Sequence, residues 1–333
     1  MKVITKERSA IIGCAMIWIV LYHARIDIPF KLYNFITSIG YGGVDICIFA
    51  SGIGCYYSLS KSADIVEFIK RRFARLLPTY WCFLPFWICY KMSSSEISIR
   101  GAFCNFLGLE YITNKGEAFN WYITALLFIY ILAPYVKQLV DRSSEKKQFL
   151  LVVGSILASF AFFESKTYII IFTRIPLFIL GMIFAQKSKE EKEISKKEFA
   201  FASCAAVVGV LILKICMDRY SDYLWNYGLY WYPFVLITPG ICIWSSICLR
   251  WIDKYKGLRW IKRMLETVGS NSFEVYLIHI PIFEYAHKFI EHYEIREYRN
   301  HILIGAVFAT ILGCIILKMI VKGVLKVYKK GIK

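Results

Sequence analysis

Apolar runs bounded by charged residues recur ten times along the chain, at 9–24, 39–59, 76–90, 119–136, 149–163, 168–186, 199–217, 231–249, 270–286 and 301–325. A helix needs about 20 residues to cross a bilayer, so runs of this kind predict an all-α polytopic membrane bundle of about ten transmembrane helices. The third and fifth hold only about fifteen apolar residues, which predicts little tilt or a locally thinned bilayer around them. The segment from Lys187 to Glu198, rich in Lys and Glu, reads as a solvated linker between a six-span half (1–186) and a four-span half (199–333) of one domain covering 1–333. No repeat of fixed period is present, and neither the GxxxxGK nor the GxGxxG nucleotide loop occurs.

Composition narrows the class. Of 333 residues, 58% are apolar and 20% charged, against about 45–50% and about 25% in soluble domains. One water-facing core does not hide that much apolar surface, which excludes a soluble enzyme, a disordered chain, collagen and a small disulfide scaffold. The formal net charge is +17, a value that in a soluble chain points to nucleic acid. In a membrane chain Lys and Arg gather in cytoplasmic loops instead. Ten crossings put both termini on one side, and 29 of the 41 Lys and Arg then fall on that side. The bias predicts cytoplasmic termini and membrane lipid as the surrounding partner, with no nucleic acid. The eleven Cys lie mostly inside apolar runs and form no CxxC pair, so neither a disulfide framework nor a metal site is expected. The first run is followed by Tyr22-His23-Ala24-Arg25 and a further apolar segment rather than a small-residue cleavage site, so no cleavable signal peptide is expected.

Ionisable groups at membrane depth cost about 2.5–3.5 kcal/mol each on insertion scales, so they usually face a cavity or a partner. Here they are His23, Asp45, Arg174, Lys214, Glu274 and His279. With the first span running outward, His23 lies about 21 Å along it, at a rise of 1.5 Å per residue. Asp45 and Arg174 enter inward-running spans near their outer ends, and His279 is near the middle of the ninth. Four groups from four spans are thus expected to meet in one cavity in the outer half of the membrane. Plainer readings stand beside this one: an interfacial His23, a buried Asp45–Arg174 ion pair, and His279 as a hydrogen-bonding strut. Lys214 is expected to snorkel to the interface.

Six segments in order resemble acyltransferase family 3, the integral-membrane O-acyltransferases of bacterial surface polysaccharides. They are Ala15-Met-Ile-Trp-Ile-Val-Leu-Tyr-His23, Gly43-Val-Asp-Ile-Cys-Ile-Phe-Ala-Ser-Gly52, Lys70-Arg-Arg-Phe-Ala-Arg-Leu-Leu-Pro-Thr-Tyr80, the tryptophan-led span from Asn120 to Pro134, Arg174-Ile-Pro-Leu-Phe-Ile-Leu-Gly181, and Ser272-Phe-Glu-Val-Tyr-Leu-Ile-His-Ile-Pro281. The first is similar to the segment that ends in the family's essential histidine. The family usually has Arg or Lys eleven residues before that histidine, and this chain has Ile12; Arg8 is the nearest cation on the same helix. The soluble SGNH extension of some members is absent, so the resemblance implies a single-domain enzyme of the inner (plasma) membrane.

The implied reaction moves an acyl group, acetyl being the first choice, from acyl-CoA to a hydroxyl of a cell-surface or exported polysaccharide. Such a transfer needs a base for the hydroxyl and stabilisation of a tetrahedral oxyanion. His23 is the expected base or transient acyl carrier, with Asp45 as its orienter. Arg174, His279, Asn120 and Trp121 are expected to contact substrate or oxyanion. Arg71, Arg72 and Arg75, with Arg8, suit the acidic phosphates of coenzyme A, although a basic loop at this face is also what topology and anionic lipid require. The rival class is a transporter or flippase of a lipid-linked sugar or small metabolite using the same cavity without chemistry.

Overall fold

A computed structural model describes residues 2–62, 64–93, 96–114, 119–189, 194–223 and 227–331. No strand occurs among them. A short α1 (Lys2–Lys6) leads into α2 (Arg8–Ala24), followed by α3 (Lys31–Ser38), α4 (Gly43–Lys61) and α5 (Ile65–Ser93). Then come α6 (Ile99–Phe106), α7 (Glu110–Thr113), α8 (Trp121–Arg142), α9 (Glu145–Ser159), α10 (Lys166–Phe172) and α11 (Ile175–Lys189). The last five are α12 (Lys196–Arg219), α13 (Tyr232–Lys254), α14 (Arg259–Ser270), α15 (Ser272–His292) and α16 (Arg299–Gly331).

Each of the ten apolar runs is mainly helical, the sixth being divided between α10 and α11, but among the described residues six helical stretches are long and apolar enough to cross a membrane by length and composition: Gly40–Lys61, Trp121–Arg142, Thr167–Lys189, Lys196–Arg219, Tyr232–Lys254 and Arg296–Tyr328. Arg8–Ala24 is a shorter apolar helix. The remaining runs fall short for identifiable reasons: α9 has only 15 residues, and α5 and α15 carry charges within their length.

Two connections differ from the sequence expectation. The basic segment before the third run, read as a loop, is the first part of the 29-residue α5, so its arginines have helical phase. Both ends of the linker are also helical: Lys187–Lys189 end α11 and Lys196–Glu198 begin α12, whose Ser195 and Glu198 form a reciprocal capping box. Residues 190–193 lie outside the described residues. The helix that carries Arg174 is broken between Phe172 and Ile175, because Pro176 has no N–H to donate and disfavours helical geometry just before it.

The core is centred on α4, which packs against α11 and α2, and every residue from 39 to 50 is buried. Glycines let backbones touch at two crossings. A methyl at Gly181 would overlap the Phe49 carbonyl oxygen, and one at Gly52 would overlap that of Phe178, which locks α4 to α11. Gly13 and Gly269 do the same for α2 and α14, against Leu265 and Ser9. In this way α2 joins helices from beyond the linker. Lys318 Nζ donates to Asn271 Oδ1 at 2.6 Å, so α16 runs back along α15 and leaves the bundle at the end where α2 begins.

Candidate functional site

The last turn of α2 carries His23. Its ring lies edge-on to that of His279 on α15, with centroids 5.0 Å apart and planes at 67°. His279 is completely buried, and its Nδ1 is 2.8 Å from the Val275 carbonyl oxygen. A carbonyl only accepts, so Nδ1 carries the hydrogen and Nε2 presents a lone pair. That Nε2 has no hydrogen-bond partner among the described residues. His287 Nε2 donates to the His23 carbonyl oxygen at 3.0 Å, tying the end of α2 to α15 from the backbone side.

Asp45 stands in the first turn of α4, where the helix dipole favours a carboxylate. Arg174 sits at the break before α11. The Arg174 Nε lies 3.2 Å from Asp45 Oδ1, and the two side chains are 1% and 0% exposed. The separation makes an ion pair, but its angle does not make a hydrogen bond, and both Asp45 oxygens lack a donor among the described residues. Arg174 Nη1 donates to Thr173 Oγ1 at 3.3 Å, and the guanidinium lies over the rings of Trp231 and Trp121, 4.9 and 5.7 Å from their centroids. No hydrogen bond joins Asp45 to His23 among the described residues. The four ionisable groups expected in one cavity therefore form two pairs, His23 with His279 and Asp45 with Arg174.

Aromatic residues run between the pairs along two routes, one of which passes through the chain itself from Tyr230 to its neighbour Trp231. On one side Tyr22 packs against His23 (5.0 Å) and Tyr41 (5.6 Å), Tyr41 against Tyr230 (5.3 Å), and Trp231 against Arg174. On the other, Tyr276 lies 6.1 Å from His279, Tyr122 is 4.9 Å from Tyr276, and Trp121 completes the return to Arg174. Of these tyrosines and tryptophans, Trp121 alone was a candidate site residue in the sequence.

Toward the start of α2 a separate cavity of about 80 Å³ is lined by Arg8, Arg72 and Arg75 together with Ile12, Ser51 and Tyr122. Arg72 and Arg75 are three residues apart on α5 and share a face. Arg71 is one residue, or about 100°, off that face; it is exposed and pairs with Glu67 at 2.9 Å. Arg8 Nη1 donates to the Ala50 carbonyl at 3.3 Å and Arg72 Nη2 to that of Gly54 at 2.6 Å. None of the three lining arginines has a carboxylate partner among the described residues. Arg8 does stand beside Ile12 in the same cavity.

Asn120 is placed apart from both histidines. Its Nδ2 donates to Tyr80 Oη at 3.2 Å and to Asn105 Oδ1 at 3.3 Å, while Tyr80 donates to the Asn105 carbonyl at 2.7 Å, a buried knot joining α5, α6 and α8. Lys214 is exposed and pairs with Asp218 at 2.6 Å. All eleven cysteines are free thiols.

A family model described as an acyltransferase domain matches residues 12–319. No curated protein and no solved structure matches the chain.

Proposed function

The chain belongs to acyltransferase family 3, and on that premise we propose that it is an inner (plasma) membrane O-acyltransferase that moves an acyl group, acetyl first, from acyl-CoA to a hydroxyl of a surface or exported polysaccharide. In this reading ten helical runs cross the membrane and both termini are cytoplasmic. The observation that carries it is the pairing of two sites on one helix: arginines without carboxylate partners around Arg8, and the imidazole pair about 22 Å further along α2 at His23. A polyanionic donor with a long flexible arm, such as coenzyme A with its pantetheine, matches that separation. Its phosphates meet Arg8, Arg72 and Arg75, and its thioester reaches toward His23.

His23 takes the proton of the acceptor hydroxyl as the oxygen attacks the thioester carbonyl. The tetrahedral intermediate collapses with loss of the coenzyme A thiolate, which receives that proton from His23. His279 offers its Nε2 lone pair to the protonated His23 imidazole. The Asp45–Arg174 pair acts at a distance: it fixes α4 against α11, and with them the Tyr41 and Tyr22 rings that seat the His23 side chain.

The test is incubation of the purified protein in nanodiscs with radiolabelled acetyl-CoA and extracted surface glycan, with mass spectrometry of glycans from cells with and without the chain. An ester of defined mass and release of free coenzyme A are expected. Passage of glycan or metabolite across the membrane without an ester would replace the enzyme reading by the transporter.

A further inference from the structure

Just past His23 the structure opens a second cavity of about 450 Å³, lined among others by Tyr22, Arg25, Asp27, Asn34, Thr37 and Arg299. It is built rather than incidental. Arg25 closes α2 in the left-handed region at φ 49°, a conformation that a non-glycine residue holds only where its surroundings impose it. The turn that follows is pinned across the bundle, because Asn300 Nδ2 donates to the Asp27 carbonyl at 2.9 Å and Asn34 Nδ2 donates to Asp27 Oδ1 at 3.0 Å. Helix α3 is divided by face: Leu32 and Ile36 are exposed apolar residues four apart, while Asn34 and Thr37 line the cavity. That division is what a helix lying in a membrane interface needs.

The charge in this vestibule is unbalanced. Neither Arg25 nor Arg299 has an ion-pair partner among the described residues. The one lining carboxylate, Asp27, is engaged by Asn34. Arg299 occupies the first position of α16, where the helix dipole is already positive and a cation is unfavourable without an anion nearby. Neither residue is buried, Arg25 being exposed and Arg299 half-buried. A ring wall from Tyr22 and short polar side chains complete a surface that suits a sugar.

We propose that this vestibule is the acceptor subsite and that it selects an anionic pyranoside, held by Arg25 and Arg299 with its ring beside Tyr22. The proposal rests on the acyltransferase reading, in which this mouth admits the acceptor to His23, and deepens it by naming the acceptor's charge. The shared chemistry is one anionic group on a sugar, either a uronate carboxylate or a sugar phosphate.

The experiment measures binding to the full chain in nanodiscs, by calorimetry at low salt, of three probes: trigalacturonate, glucose 1-phosphate and neutral maltotriose. At least one anionic probe is expected to bind about tenfold or more tightly than maltotriose, as charge-assisted hydrogen bonds imply, and the better one identifies the source of the anion. Arg25→Gln and Arg299→Gln should each erase most of that preference, while Arg25→Lys and Arg299→Lys retain part of it. Equal binding of charged and neutral probes, no binding of any probe, or a preference untouched in both Gln variants would overturn the proposal. Acyl transfer from acetyl-CoA is followed in the same preparations. Transfer without charge preference removes the vestibule proposal alone, whereas charge preference without transfer removes the enzyme reading and leaves the vestibule standing.

Discussion

Replacing Asp45 by Asn leaves the Arg174 guanidinium without its counter-charge in a place where no other carboxylate pairs with it among the described residues. At 3.2 Å and an effective dielectric near 20, the Coulombic attraction removed is about 5 kcal/mol. The desolvation of both ions offsets much of that in the intact pair, but it is not recovered when only one ion is deleted. Breaking a buried pair from one side therefore costs about 3–5 kcal/mol, which corresponds to a fall in Tm on the order of 10 °C. Arg174→Gln should cost a similar amount. The double variant Asp45→Leu with Arg174→Met, which removes both charges and keeps the volume, should recover at least about 2 kcal/mol of the summed losses. Arg174→Lys should fall between, because it keeps the charge but loses the planar contact with the two Trp faces. The assay is fluorescence-detected size-exclusion chromatography after heating, on all five proteins, with acyl transfer measured alongside. Additive losses in the double variant would refute the coupling. An unchanged Tm in Asp45→Asn together with lost transfer would refute it differently, by showing that Asp45 acts on His23 rather than through Arg174.

His23→Ala should abolish transfer while leaving Tm within a few degrees, since its side chain is half-buried and at a helix end; wild-type-like acylation would end the mechanism. Arg72→Gln and Arg8→Gln should raise KM for acyl-CoA several-fold with little change in kcat, as expected of groups that bind the donor alike in ground and transition states. Arg71→Gln should change neither, because that side chain faces Glu67. Gly181→Ala should lower stability by about 1–3 kcal/mol, read as lost folded protein, because the added methyl meets the Phe49 backbone. A pH prediction follows from Glu96, whose carboxyl is pulled down to about 2 by Lys288 and Lys91, at 2.8 and 2.6 Å. A depressed carboxyl stabilises the fold fully above its ordinary value and loses that contribution as pH falls toward about 2. Tm should therefore drop between about pH 4.5 and 2 in the native chain, and less steeply in Glu96→Gln.

His23, Asp45, Arg174 and His279 stood out in the sequence because charge inside apolar runs is costly and therefore sparse. Which of them would meet did not, since partners depend on how helices pack around one another. The ion pair of Asp45 with Arg174 was among the readings weighed, whereas the pairing of His23 with His279 was not. The arginines mark a different limit. Charges interrupt an apolar window, so the segment before the third run read as a loop, and without helical phase nothing separated Arg71 from Arg72 and Arg75. Tyr22, Tyr41, Tyr276 and Trp231 were hidden by abundance: with 17% aromatic residues, most of which suit membrane interfaces, no single ring announces itself. Asn120 sat in a family-like motif, yet its amide is spent on Tyr80 and Asn105. Its neighbour Trp121, from the same motif, is the one that reaches Arg174.

The two aromatic routes have an electrical consequence. A bundle with a polar cavity entering from each end risks a thread of water between them, and every elementary charge that leaked through would dissipate about 2.3 kcal/mol per 100 mV of membrane potential. Tyr122 and Tyr276 stand between the arginine cavity and His279, and Tyr22 stands between His23 and the vestibule. On the proposed reading, in which donor and acceptor reach His23 from these two cavities, the rings would act as insulation, keeping water from joining the two approaches.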